Sequence, residues 1–455
     1  MVSLLSLLDL GAGGLAAANA GVSVAANNTA NVNTRGYSRQ RVDFHSGLGA
    51  PVLGGVTAGS PRRYASELLA TRERLSQSGS GRADARASAL ADLEAAVAGT
   101  GSGIDEDIAK LWAGLQRVAA MPADSLVRDA AVAAARALAD GIRERAEAVA
   151  RARAEADARI RDAADQATVL ARQIADANHA LASGDDPVMR DRRDVAAQDL
   201  AALVGGDGRI DADGQMRWVL PDGGVLVDGD RAATLTATPD PATGFATVEL
   251  VSGSQRRDVT AAIDGGAMGG DLAFRDRDAT STLGELDELA FDLTTSINTV
   301  HRGGAGLDGV VGRDLFTAQA GIAGAASRMS VDAAVAADSG KLAAAAPGTG
   351  AGNNKQVLAL LALRDGKVAR GGTATLGESA LRLATGVGRA TADAHAEQTR
   401  ERDLAGHLGG LRDALSGVDL DEELGKMVHF QHASEAMTRF VSTIDGMLGD
   451  LLQRL

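Results

Sequence analysis

"GVDLDEELGKMVHFQHASEAMTRFVSTIDGMLGDLL", residues 417–452, carries the steadiest periodicity in the chain. Met427, Phe430, Ser434, Met437, Val441, Ile444, Leu448, Leu451 and Leu455 alternate steps of three and four, and all but Ser434 are apolar. That spacing places them in one stripe along a helix, the seam of a coiled coil. Asp419, with Glu422 three residues later, supplies a capping box at the start of that helix.

A weaker copy of the same alternation stands at the other end: Leu4, Leu8, Gly11, Leu15, Ala18, Val22, Ala25, Thr29 and Val32. Up to Thr34 only Asp9 is charged, and then Arg35, Arg39 and Arg41 follow in quick succession. Gly11, Gly13, Gly14 and Gly21 each cost about 1 kcal/mol in a helix, so this segment is not expected to be stable alone. Burial at roughly 1.5–3 kcal/mol per apolar side chain offsets that cost only inside an assembly. The two ends therefore read as polymerisation segments.

Between them the text is helical on both sides of a β-rich insertion. Pro122 and Pro187 bracket a long Pro-free stretch with Asp124 as N-cap and Gly184 as its closing glycine. Val149, Ala156, Ile160, Ala163, Ala167, Leu170, Ile174, Ala177 and Leu181 form its stripe. One helix of roughly 60 residues would be about 90 Å long, a rod and not a compact enzyme core. "DPVMRDRRDVAAQDLAALV" continues as helix, and short strands with Asp-Gly hairpin turns at 213–214 and 222–223 fill Gly205 to about Asp264. Helix is expected again from Thr282 to His301 and from Gly377 to Ser416. The fold class is mainly α with a β-rich insertion: a long helical bundle, terminal coiled-coil helices and a central β domain.

The totals agree with a structural role. A net charge of −14 with interspersed basic residues repels phosphate backbones, and 2% aromatics leave few stacking platforms, so nucleic acid is not an expected partner. There is no cysteine, which excludes disulfides, thiolate metal sites and thiol nucleophiles. No Lys or Arg precedes Arg35, so the basic region of a secretory signal is missing, and no membrane partner is expected.

"ANNTANVNTRGYSRQ" (residues 26–40) resembles the N-terminal signature of the flagellar rod, hook and hook-associated protein family, and the Ser38-Arg39-Gln40 extension is similar to its hook-associated members. The C-terminal stretch is similar to the helix that closes those proteins. "AKLWAGLQRVAAMPADSLVRDAAVAAARALA", "MRDRRDVAAQDLAALVG", "GGDLAFRDRD" and "LDELAFDLTTSINTVHRGGAGLDGVVGRDLF" match the family's interior. The resemblance implies an inner tube in which residues 1–34 pair with 417–455, and a signature turn of Asn31, Asn33, Thr34, Gly36, Tyr37, Ser38, Arg39 and Gln40 leading out of it. It implies a division into 1–45, 46–190, 191–280, 281–416 and 417–455: N-terminal helix and turn, first half of the bundle, helix plus β-rich outer domain, second half, and C-terminal helix. The expected interface is Leu4, Leu8, Leu15, Val22, Val32, Met427, Phe430, Met437, Val441, Ile444, Leu448, Leu451 and Leu455. Expected partners are further copies in a ring, hook protein, the third hook-associated protein and a flagellar export chaperone, at a secreted hook–filament junction.

No G-x-S-x-G, P-loop or H-E-x-x-H motif occurs, and no cofactor, metal or catalytic residue is expected. "GRIDADG" imitates a calcium loop without the closing Glu and reads as a turn. His429, His432 and Glu435 share a helical flank, read as polar seam edge. Asp191, Arg192, Arg193 and Asp194 read as solvated ion pairs, and Trp112 and Trp218 as core. Another axial flagellar protein, or a secreted enzyme with a catalytic β domain, is the alternative; convergent titratable groups in residues 205–275 would favour the enzyme.

Overall fold

This computed structural model describes residues 3–46, 55–98 and 103–454. Helix α1 (Leu4–Ala30) opens on Ser3, whose Oγ accepts from the Ser6 N–H. By length and composition it could cross a membrane, but its small-residue face lies against the last helix, α11 (Leu420–Arg454). Four short strands follow α1: β1 (Gln40–Arg41), β2 (Phe44–Ser46), β3 (Val56–Ala58) and β4 (Arg62–Arg63), with β1 antiparallel to β4 and β2 to β3.

The rod is built from α2 (Glu67–Ala98), α3 (Ile104–Ala120), α4 (Ser125–Ala182), α5 (Pro187–Val204) and a late helix described below. Helix α4 is a single element of 58 residues, capped by Asp124, whose side chain accepts from the Val127 N–H. Ser183 ends it, and Gly184 keeps a negative φ, so the turn closes without a left-handed glycine. Asp186 caps α5, with Pro187 in its first turn.

The insertion is two antiparallel meanders: β5 (Asp207–Ile210), β6 (Met216–Val219), β7 (Val225–Asp228) and β8 (Arg231–Ala232), then β9 (Thr234–Pro239), β10 (Ala246–Ser252) and β11 (Gln255–Asp258). Gly214 (φ +78°) and Gly223 (φ +83°) make the expected Asp-Gly turns. Asp211 accepts from the Asp213 and Gln215 N–H groups, so "GRIDADG" is a turn closed by its own carboxylate.

Helix resumes earlier than the sequence suggests, at α6 (Gly266–Ala273), and passes through a π turn, Phe274–Asp278, into α7 (Ala279–His301). Glycines hide this helix from a propensity reading, yet they are why it fits. A Cβ on Gly270 would lie 2.4 Å from the Arg82 carbonyl, and one on Gly269 2.6 Å from the Asp264 carbonyl carbon. The π turn aims Arg275 at Asp157 and the Ala246 carbonyl, both at 2.7 Å. Residues 302–375 are irregular, with α8 (Ala333–Ala337) and α9 (Lys355–Ala362), before α10 (Leu376–Ser416) starts on a complete Thr375–Glu378 capping box.

Two cores lie along α4. Its N-terminal half packs with α2, α3, α7 and residues 302–375, around Leu138, Ile142, Leu286 and Phe316. Its C-terminal half packs with α5 and the meanders, around Ile160, Ile174, Leu200 and Trp218. Trp112 and Trp218 are core residues, as read. The β-rich section thus sits at the end of the rod near the signature turn, and residues 302–375 build the far end.

Candidate assembly interface

Helices α1 and α11 pack antiparallel through holes and knobs. A Cβ on Gly21 would lie 2.6 Å from Phe430 Cγ, one on Gly14 2.9 Å from Met437 Sδ, and one on Gly11 2.6 Å from Val441 Cγ2. Each glycine is therefore the seat of a side chain from the facing helix. Ser434 Oγ meets Asn19 Oδ1 at 2.9 Å, which fills the polar gap in the stripe. Phe44 of β2 packs on Phe430 with the rings tilted by 47° and centroids 5.6 Å apart.

The stripe on α1 is not the one its leucines suggest. Buried there are Gly11, Gly14, Ala17, Ala18, Gly21, Val24, Ala25 and Asn28, so the contact face is turned towards the small residues. Leu4, Leu8, Leu15, Val22 and Val32 are only half-buried. On α11, Met427, Phe430, Met437, Val441 and Leu448 are half-buried, Ile444 is buried, Leu451 is exposed, and Leu455 lies outside the described residues. The large side chains come from α11 and the space for them from α1.

The signature turn locks the open end of this pair. Asn31 closes α1, its Nδ2 donating to the Asn27 carbonyl, and Thr34 N–H donates back to Asn31. Asn33 is exposed. Gly36 has φ +77°, and a Cβ there would strike Val195 at 2.1 Å, so glycine is required twice over. Tyr37 Oη donates to Asn28 Oδ1 (2.8 Å), as does the Gln40 N–H (2.9 Å), while Asn28 Nδ2 donates to the Gln40 carbonyl and to Glu423 Oε2 (2.8 Å). Arg39 bridges Glu422 and Glu423 at 2.6 and 2.8 Å, and its N–H donates to the Ser416 carbonyl. Asn28 and Glu423 are 0% and 1% exposed, so these bonds decide whether the two ends can close together.

Charge follows geometry. Burial, with Asp191 and Glu423 nearby, pushes the Tyr37 hydroxyl up to about 12. The Arg39 hydrogen bond, then Lys426, pulls Glu422 down to about 2. Glu422 is therefore spent on Arg39 and Lys426, and only half of the expected capping box forms: Asp419 accepts from the Glu422 N–H. Asp191, Arg193 and Asp194 are not solvated pairs. Arg63 holds Asp191 (2.9 Å) and Asp194 (2.7 Å), Ser38 N–H donates to Asp191, and Arg193 donates to Asn178 and the Gly214 carbonyl. Burial raises Asp191 against the pull of Arg63.

Sequence reasoning missed Asn28, Glu423, Asp191 and the glycine seats. Asn28 stood inside the quoted signature, and a neutral polar residue in an apolar helix was its only signal. His432 and Glu435 lie 3.9 Å apart on the exposed flank of α11. No group of three His, Asp or Glu that could hold a metal occurs among the described residues.

The family model for the flagellar hook-associated protein FlgK helical domain matches residues 90–316. Flagellar hook-associated protein 1 of Bacillus subtilis (strain 168) is 24% identical over 489 aligned positions, covering 96% of each chain. The chain belongs to the flagellar hook-associated protein 1 family. The family member of Escherichia coli (strain K12) is 25% identical over 68% of this chain, which spans 60% of that relative's length. The flagellar hook junction protein FlgK of Burkholderia pseudomallei shares the fold, with a TM-score of 0.69, 17% identity, and coverage of 77% of this chain and 100% of that one. In this family the protein is a structural part of the flagellum.

Proposed function

We propose that the chain is the structural subunit that polymerises between hook and filament. The observation that carries this is the terminal pair: α11 offers more apolar surface than α1 covers, leaving Met447, Leu451 and Leu452 exposed, as is Leu5 of α1. Such a surface at the tip of a hairpin, joined to the rod by a closed polar lock, suits packing into a tube of like hairpins. Within it, residues 1–45 and 417–455 form the tube, the bundle a middle layer, and hook protein and the third hook-associated protein are the axial neighbours. The amphipathic face of residues 420–454 is also the segment a flagellar export chaperone would hold before assembly.

Labelling the protein on intact cells and on cells stripped of filament tests this. One spot at the far tip of the hook, retained when the filament is absent, is the expected result. Signal along the filament or over the cell body would refute it.

A further inference from the structure

Near the signature turn, α10 packs on α2, α2 on α5, and α5 on α4. The first two helices of that row present a ridge. Leu404 and Leu411 of α10 stand two turns apart, exposed, beside buried Leu408. Leu68 and Leu75 of α2, 66% and 72% exposed, run along the same stretch, where Arg412 reaches Glu73 at 3.8 Å. The last two helices hold a groove of about 610 Å³. Val188, Val195 and Ala196 of α5, Ala177 of α4 and Tyr37 of the turn wall it, and the Arg35–Asp199 ion pair stands on its rim.

A subunit of an open helical polymer needs two different, complementary patches, because a patch that pairs with itself closes a dimer. The ridge and the groove are such a pair: convex and concave, on different helices of one chain, the ridge apolar and the groove lined by those apolar side chains together with Gln173, Asp176, Asp191 and Arg192. Each is also continuous with the terminal hairpin. The exposed series goes on from Leu411 through Leu415, Leu420 and Leu424 into α11, and the groove is walled by the turn that leaves α1. We propose that the α10–α2 leucine ridge of one copy seats in the α4–α5 groove of the next. This rests on the reading of the chain as a polymerising subunit and adds the lateral contact to it.

The absence of cysteine makes the test clean, since any disulfide must come from introduced thiols. Two differently tagged chains, one Leu411→Cys and one Val188→Cys, are co-expressed, assembled on cells and oxidised, and the hook particles are run without reductant. A second pair, Leu404→Cys with Thr34→Cys, probes the same two walls, and Leu381→Cys with Val188→Cys is the control, Leu381 being exposed on α10 outside the ridge. Both test pairs should give the mixed-tag dimer at ten or more times the control yield. Yields equal to the control, in particles that contain the protein, overturn the ridge–groove contact alone. Particles that lack the wild-type protein overturn the parent reading instead.

Discussion

On α4 the stripe is covered by α5, the meanders and the neighbouring helices: Val149, Ala156, Ile160, Ala167 and Ile174 are fully buried, and only Leu170 and Leu181 are half-buried. On α11 a still steadier stripe starts half-buried at Met427, buries Ile444 and ends exposed at Leu451. The two helices obey the same spacing rule, and only one of them finds enough partner surface inside its own chain. A periodic apolar stripe thus states that a partner is needed without stating whose it is. What separates the cases is the facing helix: α4 meets Leu, Ile and Trp, whereas α11 meets the glycines and alanines of α1, which accept its side chains but add little area of their own.

The sharpest way to break the comparison is Ile444→Asp. It puts a carboxylate at the one buried position of the seam, and an unpaired buried charge is expensive enough to keep the helix in water. Cells carrying only this variant should lose attached filaments and release filament protein into the medium, while the thermal unfolding of the purified rod stays unchanged. Asp450→Lys, on the exposed side, should leave filaments normal. Intact filaments on Ile444→Asp cells would sink the seam.

A second measurement separates the two regions by stability. Leu138→Ala, in the core on α4, should lower global stability by about 2–5 kcal/mol, read by denaturant unfolding. Gly21→Leu should cost about 1–3 kcal/mol by overpacking against Phe430, and show itself as faster proteolytic release of the terminal helices with the midpoint of the rod unmoved. Equal effects on both readouts from either variant would mean that hairpin and rod unfold as one unit.

The smallest effect is expected from acid. His301 is fully buried, with Nε2 accepting from the Ala343 N–H (2.9 Å) and Nδ1–H donating to the Arg313 carbonyl (2.8 Å), so it fits only as the neutral ring. Burial lowers its pKa, opposed by the hydrogen bond to the Arg313 carbonyl and by the charges of Asp314 and Asp332. The unfolded chain takes up the proton first, so this contribution is present above the ordinary histidine value of about 6.5 and falls as pH drops below it. Hydrogen exchange in residues 302–345 should rise between pH 7 and pH 5 with little change in α1 and α11; no change, or a loss confined to the hairpin, contradicts it.

Much of the rod was legible, because α4 combines a long period with a cap and bracketing prolines, and because Asp-Gly turns fix the hairpins. The α1–α11 contact was legible only in outline. Leucines on α1 attract the eye, but the face that packs is the one that can let Phe430 and Met437 in, and hydrophobicity scores a glycine as nothing. Asp191 and Arg193 look like surface charges in a helix of alternating sign, and only the fold reveals that Arg63 and Asn178 wait for them. Residues 302–375 have no period to read at all: irregular backbone carries Leu315, Phe316 and Met329 into the core, pinned by long-range bonds such as Arg128 to the Leu342 carbonyl.

The π turn at Phe274–Asp278 acts on the molecule as an angular offset. Its bond from the Ala279 N–H to the Phe274 carbonyl spans one residue more than an α turn. Deleting that residue would rotate everything downstream by about 100° relative to α6, carrying Leu286, Leu289 and Leu293 off their core while Met268 and Leu272 kept theirs. The two halves of α4 therefore face partners whose phases are set independently, and a single inserted residue reconciles them.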